Sequence, residues 1–420
     1  MKSFILWYLL LTTALFAQSW TEVGNMPYPV SGGQAVVKGN MIYILGGFTD
    51  NNQVVDYIQA YNPQNNSWSI VGHMQYPRSE FVAGTFADSV VYFGGLKTLP
   101  TIFPFPDIFY TPGSIEVWNF KSSPYIYKLD SAFARSYSTG QVVNGNLYAF
   151  GGYTPPNINN NYLFGYNIES DRSIETNDSI STSHFSFDQM SVVVGNDIYI
   201  FGGTSVAPQR TIYDFDTKTN TLTDLHAELD DSRAGGAAVA SDSVIYLIGG
   251  YSQSSLATRS VSTINLRKRE FEQEGIQSLN YARRNPMAVN YYGSIYVFGG
   301  TDQNGQVVPQ VEKYDTITGV TKSQSNVPNQ FKLENNYPNP FNPSTQIAFK
   351  VGITARVSLD IYSILGEHIK TLTNKVFSPG EYSFIWNGTN DAGSTMSSGV
   401  YIYRLTSGYF TESKKMLLLK

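Results

Sequence analysis

The sequence predicts an all-β chain, in which a six-bladed β-propeller is followed by a small antiparallel β-sandwich. The main observation is a Gly-Gly pair that ends a short apolar run six times, with first glycines at residues 46, 94, 151, 202, 249 and 299. The steps between them are therefore 48, 57, 51, 47 and 50 residues. A period near 50 built from β-branched and aromatic residues is typical of propeller blades. The second observation is a change of composition after residue 326, where a proline-rich segment precedes alternating strands.

Each repeat predicts one four-stranded blade. The apolar run before each glycine pair suits a strand buried on both faces. A polar turn precedes every run and predicts a hairpin with an inner strand, at residues 38–40, 88–89, 144–146, 195–197, 241–243 and 292–294. The glycine pair allows a turn where a Cβ would clash. A third strand such as 56–63 and a fourth strand, marked by Trp68, complete the repeat.

These motifs resemble the kelch repeat family over residues 18–326. The segment 19–27 mirrors 67–74, so the chain begins on a fourth strand that can pair only with the last blade. Such pairing joins the two ends of the propeller in one sheet and removes an exposed edge. The alternative closure uses residues 319–325 as the fourth strand of the last blade.

Composition excludes several function classes. The chain has 420 residues, a net charge of −5 and no cysteine, and only 15% of its residues are charged. No basic footprint for nucleic acid is present. Without cysteine there are no disulfides and no thiolate metal sites, and the Cys–Tyr copper chemistry of galactose-oxidase-like enzymes is impossible. The four histidines are scattered, so we predict no metal site and no cofactor.

The N-terminal segment 1–17 has a lysine, an apolar stretch and a small residue before residue 18. This order predicts a secretory signal peptide, and hence no transmembrane segment in the mature chain. The alternative is a short membrane anchor.

The C-terminal region predicts a second domain. Residues 327–332 read as a linker, and 333–420 as a sandwich with strands at 345–351, 356–362, 381–386, 400–406 and 415–419. Prolines 338, 340 and 343 forbid a helix at its start.

This tail resembles the type A C-terminal sorting domain of the type IX (Por) secretion system, which is immunoglobulin-like. The matching residues are Tyr337, Pro338, Asn339, Pro340, Phe341, Asn342 and Pro343, together with the ending that contains Lys415 and Lys420. The resemblance implies export through the outer-membrane type IX machinery of a Gram-negative bacterium, via the periplasm, to the cell surface or the medium. The alternative is an accessory sandwich that only stabilises the protein.

A ring of arginines is the first candidate ligand site. Sixteen residues before each first glycine stand Val30, Arg78, Arg135, Ser186, Arg233 and Arg283. Strand directions place these positions at one face of the disc, where four guanidinium groups would grip carboxylates. Arg284, His184 and Glu80 are close by in sequence. The alternative is that each arginine makes a structural hydrogen bond within its blade.

The long loop after Gly95 is the second candidate, because its aromatic residues would overhang the arginine face: Phe103, Phe105, Phe109 and Tyr110. Alternatively, these aromatics fold down over the neighbouring blade.

Two function classes stay open. The first is a secreted, non-catalytic binding or adhesion module for carbohydrate or protein. The second is a sugar-processing enzyme that resembles sialic-acid mutarotases. Glu80 is the only carboxylate placed next to the arginine positions, and no acid/base pair is expected at a repeated offset, which favours the binding module.

Overall fold

The computed structural model describes residues 19–97, 114–120, 124–128, 134–153, 163–174, 186–241, 243–266, 273–316, 331–352, 355–364, 366–377, 380–407 and 410–419. All regular elements in these ranges are β-strands. No helix in the described part of the chain has the length and apolarity needed to cross a bilayer. The predicted all-β class is confirmed.

Six four-stranded antiparallel sheets form the blades of a propeller. The chain begins with β1 (Thr21–Asn25), which belongs to the last blade. Blade 1 contains β2 (Gln34–Lys38), β3 (Met41–Leu45), β4 (Tyr57–Asn62) and β5 (Ser67–His73). Blade 2 contains β6 (Val82–Phe86), β7 (Ser89–Phe93), β8 (Ser114–Trp118) and β9 (Tyr125–Lys128). Blade 3 contains β10 (Thr139–Val143), β11 (Asn146–Phe150), β12 (Leu163–Asn167) and β13 (Arg172–Ser173).

The remaining blades repeat this order from the innermost strand outwards. Blade 4 contains β14 (Met190–Val194), β15 (Asp197–Phe201), β16 (Thr211–Asp216) and β17 (Thr221–Glu228). Blade 5 contains β18 (Ala237–Ser241), β19 (Val244–Ile248), β20 (Val261–Asn265) and β21 (Gln273–Gly275). Blade 6 contains β22 (Met287–Tyr291), β23 (Ser294–Phe298), β24 (Gln310–Asp315) and, as its outermost strand, β1.

The N-terminal strand closes the propeller, as predicted. Strand β1 pairs antiparallel with β24, and Thr21 lies opposite Lys313. Trp20 is buried beside this pair: its indole N–H donates to the Gln277 carbonyl at 2.9 Å, and its ring lies 5.0 Å from that of Tyr314. The alternative strand at 319–325 lies outside the described residues.

The apolar core of the propeller lies between the blades. Each of the six blade interfaces has its own cluster of buried apolar side chains, including the interface between blades 6 and 1. Residues of the second strand serve two clusters, because alternate side chains point to opposite neighbours. In blade 1, for example, Ile44 packs towards blade 6 and Leu45 towards blade 2.

The glycine pairs bring adjacent blades into contact. Every first glycine has φ between +54° and +76°, a region that side-chain-bearing residues rarely adopt. A Cβ at the first glycine would lie 1.9–2.7 Å from a backbone carbonyl oxygen of the next blade. This holds for Gly46, Gly94, Gly202, Gly249 and Gly299. The repeated glycine therefore permits both the turn and the close approach of the neighbouring blade.

The C-terminal region is a two-sheet sandwich. One sheet has the order β25 (Lys332–Leu333), β26 (Thr345–Val351), β29 (Gly380–Trp386). The other has the order β28 (His368–Phe377), β27 (Ala355–Ser363), β30 (Gly399–Ser407), β31 (Phe410–Leu418). Their shared core is centred on fully buried Trp386 and Tyr403.

Two sequence assignments in this domain need correction. Strand β28 was not predicted, because its polar lysine and threonine residues obscure the alternation. Phe331 and Lys332 were placed in the linker, yet Phe331 is in the sandwich core and Lys332 pairs with Lys350. The ring of Phe331 also lies 6.2 Å from that of Tyr292 on the propeller.

Candidate ligand site at the channel mouth

The arginines that the sequence places around the channel are buried instead. Arg78, Arg135, Arg233 and Arg283 are between 0% and 6% exposed. They belong to what we call the staple position, the residue sixteen places before each first glycine: Val30, Arg78, Arg135, Ser186, Arg233 and Arg283. The expected solvent-facing arginine ring is therefore wrong, because these side chains turn into their own blades.

Two of these guanidinium groups have buried carboxylate partners. Arg78 bonds to Glu116 and donates to the Gly94 carbonyl at 2.8 Å. Arg283 Nη2 lies 2.9 Å from Glu312 Oε2, and its Nη1 donates to the Gly299 carbonyl at 2.6 Å. Both carboxylates have no exposed surface. The sequence reading missed these acidic partners, because loops of different length separate each glutamate from its glycine pair.

The other two buried arginines contact neutral groups of their own blades. Arg135 lies over the Phe164 ring at 5.6 Å, and burial lowers the pKa of its guanidinium to about 9. Arg233 donates to the Leu247 carbonyl at 2.9 Å and to the Ser260 hydroxyl at 2.7 Å. These contacts connect the segment before the first strand to the second strand in blade 5 and to the third-strand region in blades 3 and 5.

The backbone at the staple position also connects neighbouring blades. Its carbonyl accepts a hydrogen bond from the second glycine of the preceding blade, at 2.7–3.3 Å in all six cases. The pairs are Gly47–Arg78, Gly95–Arg135, Gly152–Ser186, Gly203–Arg233, Gly250–Arg283 and Gly300–Val30. The structural role that the sequence left as an alternative therefore accounts for this position.

Two residues further along, a second ring surrounds the channel itself. We call this the mouth position: Gly32, Glu80, Tyr137, Asp188, Gly235 and Asn285. Each backbone N–H donates to the carbonyl of the preceding member, at 2.7–3.2 Å, and Gly32 donates to Asn285 to close the circle. All six have φ between +49° and +64°, a conformation that costs energy for residues other than glycine. Such strain is often found at functional sites.

The channel behind this ring is a cavity of about 740 Å³, lined by the innermost strands of all six blades. Its polar wall is formed by side chains that connect blades. For example, Thr139 donates to the Ser191 hydroxyl at 2.7 Å, and Asn290 donates to the Ala240 carbonyl at 2.9 Å. Among the described residues that line the channel below the ring, the polar side chains are hydroxyl and amide groups, and none is charged.

Charged groups gather at the mouth. Asn285 Nδ2 donates to Glu80 Oε1 at 2.7 Å, and the Tyr251 hydroxyl donates to Asp188 Oδ2 at 2.8 Å. Arg284 lies over the Tyr251 ring at 4.2 Å, with its Nη2 3.8 Å from Asp188 Oδ2. The side chain of Arg284 is 40% exposed, whereas that of Asp188 is 6% exposed. We call these five residues the mouth cluster.

The two carboxyl groups of the mouth cluster affect each other. Burial and the neighbouring Asp188 raise the pKa of Glu80 to about 8, against smaller opposing effects of Asn285 and Arg284. Burial also raises the pKa of Asp188, while Arg284 and the Tyr251 hydroxyl act in the opposite direction. The mouth can therefore present a protonated carboxyl beside an ion pair, which suits hydrogen bonding to a polar ligand.

Sequence reasoning identified only part of this cluster. Glu80 and Arg284 were proposed, whereas Asp188, Tyr251 and Asn285 were missed. The expectation of no repeated acidic position is wrong, because Glu80 and Asp188 both stand fourteen residues before their first glycine. His184 and the aromatic residues Phe103, Phe105, Phe109 and Tyr110 lie outside the described residues. Among the residues that the structure describes, no group of acidic or histidine side chains could hold a metal ion.

The proline-rich segment of the sandwich has mixed exposure. Phe341 is buried in the core against Trp386, at 5.6 Å between ring centres, whereas Tyr337 is 81% exposed. Asn336 bonds to Thr345 at 2.9 Å and fixes the segment to β26. Lys415 is exposed on β31, and Lys420 lies outside the described residues.

Comparisons with known proteins identify the repeats. The family model described as "KLHDC2/KLHL20/DRC7 Kelch-repeats domain" matches residues 188–344, and the Kelch motif model matches 29–75. The FlgD Ig-like domain model matches 339–409. The propeller is therefore a kelch-repeat domain, and the tail is similar to an immunoglobulin-like domain.

Similar curated proteins match only part of this chain. Kelch-like protein 41a of Danio rerio is 27% identical over 135 residues, covering 32% of this chain and 21% of the relative. Alpha-scruin of Limulus polyphemus is 21% identical over 196 residues, covering 46% of this chain and 21% of the relative. A kelch domain-containing protein of Sulfurisphaera tokodaii is 22% identical over 149 residues, covering 36% and 20%. The match thus spans about a fifth of each relative.

Proposed function

We propose that this chain is a secreted or surface-exposed kelch propeller that acts as a non-catalytic binding module. Its ligand, a protein or a carbohydrate, contacts the propeller face around the channel mouth. The observation that carries this proposal is the mouth cluster, where strained backbone positions hold Glu80, Asp188 and Asn285 beside a half-exposed Arg284. Kelch propellers are typically protein-binding, and this face offers the charged and aromatic groups that recognition needs.

The binding test uses the purified mature chain on carbohydrate and peptide arrays. Arg284→Met and Glu80→Ala should each weaken binding of any ligand that the arrays identify at least tenfold without loss of folding. The control is Lys38→Ala, because Lys38 lies at the turn that ends β2, at the other end of the channel. If the mouth variants bind as tightly as the parent, the ligand site is elsewhere.

A sugar-processing enzyme is the second candidate, and one observation favours it. Glu80 and Asp188 face the same mouth, and the raised pKa of Glu80 suits a general acid. Turnover of a bound sugar that is lost in both Glu80→Gln and Asp188→Asn would favour the enzyme. Binding without turnover would favour the module.

We also propose that the C-terminal sandwich directs export through the type IX machinery, after a signal peptide at residues 1–17. The support is the set of sorting-type motifs between Tyr337 and Lys415. Deletion of residues 333–420 should trap a protease-resistant propeller in the periplasm of a host that has this machinery. Secretion of the truncated chain at the parent level would contradict a sorting role.

A further inference from the structure

A second cavity, of about 530 Å³, lies on blade 5 and shares only Tyr251 with the mouth cluster. Its lining includes Asp231, Arg233, Ser252, Ser255 and Ser260. We call it the blade 5 cavity. It differs from the channel because a buried guanidinium forms part of its wall.

Comparison of equivalent strands shows what blade 5 lacks. Glu116 and Glu312, which pair with the buried arginines of blades 2 and 6, lie opposite Tyr92 and Val297, each the next-to-last residue of a second strand. In blade 5 the same register, opposite Leu247, holds Ser262. Blade 5 therefore retains the buried arginine but has a hydroxymethyl group in place of its carboxylate.

The buried polar groups around this replacement have unused hydrogen-bonding capacity. Ser262 is 8% exposed, and its hydroxyl has no hydrogen-bond partner among the described residues. Arg233 is 6% exposed and donates only to neutral acceptors, the Leu247 carbonyl and the Ser260 hydroxyl. In the described part of the chain, no carboxylate lies within 4.0 Å of its guanidinium. A guanidinium has five N–H donors, so Arg233 has capacity for another acceptor.

Two aspartates beyond ion-pair distance offset the buried positive charge of Arg233 only in part. Burial lowers the pKa of its guanidinium, and Asp231 and Asp230 act in the opposite direction from outside ion-pair distance. Asp231 is exposed and lines the same cavity. A ligand that fits must therefore bring a carboxylate to Arg233 while it offers hydrogen-bond donors to Asp231.

We propose that the blade 5 cavity binds an acidic sugar, whose carboxylate contacts Arg233 where its side chain lines the cavity. The hydroxyl groups of the sugar face Asp231 and the serines. The ring of Tyr251 provides an apolar surface for the sugar ring. A carboxylate on a guanidinium gives the charge-assisted, bidentate contact that arginine favours.

The test is calorimetric titration of the mature chain with D-glucuronate, with D-glucose and acetate as comparison probes. Glucuronate should bind at least tenfold more tightly than either probe and raise the melting temperature. Equal binding of acetate and glucuronate would overturn the assignment to a sugar. Absence of glucuronate binding would overturn the proposal.

Ser262→Glu is the decisive variant, because it supplies the carboxylate that blades 2 and 6 possess. It should fold, keep or raise the melting temperature and lower glucuronate affinity at least tenfold. Ser262→Ala is the matched control and should bind as the parent does. Unchanged glucuronate affinity in Ser262→Glu would contradict the proposal.

Arg284→Met separates this site from the channel mouth. The variant should bind glucuronate with parent affinity, since Arg284 does not line the blade 5 cavity. Loss of glucuronate binding in this variant would place the sugar at the mouth and overturn the blade 5 assignment. If the channel mouth binds no ligand at all, the expected binding of glucuronate to the blade 5 cavity is unchanged.

Discussion

The staple position and the mouth position lie two residues apart in every blade, yet their side chains differ in environment and role. At the staple position, arginine is buried and bonds within its blade. At the mouth position, a circle of residues with positive φ presents five different residue types in the six blades, from glycine to glutamate. At the staple position, the same residue type recurs at one offset because it has a structural role inside the blade. At the mouth position, the backbone conformation recurs but the side chain varies, which indicates a surface available for recognition.

The buried ion pairs give the strongest test of this comparison, because their loss should have the largest effect on stability. Glu312→Ala leaves Arg283 as an unpaired buried charge, and we expect a loss of roughly 3–5 kcal/mol in the free energy of unfolding. Urea denaturation followed by tryptophan fluorescence measures it. The control is Glu228→Ala. Glu228 pairs with Arg210, and both side chains of this pair are about half exposed or more. That loss should be below about 1 kcal/mol, and equal losses would contradict the assigned roles.

The glycine pairs give the next largest effect. Gly299→Ala places a Cβ 1.9 Å from the Val30 carbonyl, in addition to the cost of φ +55°. We expect a loss on the order of 3 kcal/mol. Gly39 has φ +56° but open space around its Cβ position, so Gly39→Ala should cost only about 1–2 kcal/mol. Similar losses for the two variants would show that contact between blades is unimportant at the pair.

The mouth cluster should give a smaller, pH-dependent effect. The pKa of Glu80 is raised from 4.5 to about 8, so the folded state holds a proton that the unfolded state has released. The free energy of unfolding should therefore be highest below about pH 4.5 and fall as the pH rises towards 8. Glu80→Gln mimics the protonated form and should be more stable than the parent at pH 6 by on the order of 2 kcal/mol.

Thermal unfolding of both proteins between pH 5 and pH 9 measures this difference. The two curves should coincide at the acid end and separate as pH rises. A constant difference across the range, or a parent that gains stability between pH 5 and 8, would contradict the assigned protonation.

The sequence predicted the blades well, because each glycine pair meets the same steric demand at the same place. It also predicted the closing strand, since the segment around Trp20 repeats the segment around Trp68. The arginine environment was not predictable from a single offset, because Glu116 and Glu312 are separated from their arginines by loops of unequal length. Asp188 was recoverable, because it shares its offset with Glu80.

The most direct measurement compares two adjacent arginines. Arg283 is fully buried and paired with Glu312, whereas Arg284 is half exposed at the mouth. By urea denaturation at pH 6, Arg283→Met should lose at least about 3 kcal/mol, and Arg284→Met should lose less than about 1.5 kcal/mol. Equal losses, or a larger loss for Arg284→Met, would contradict the division between a structural staple and a ligand-facing mouth.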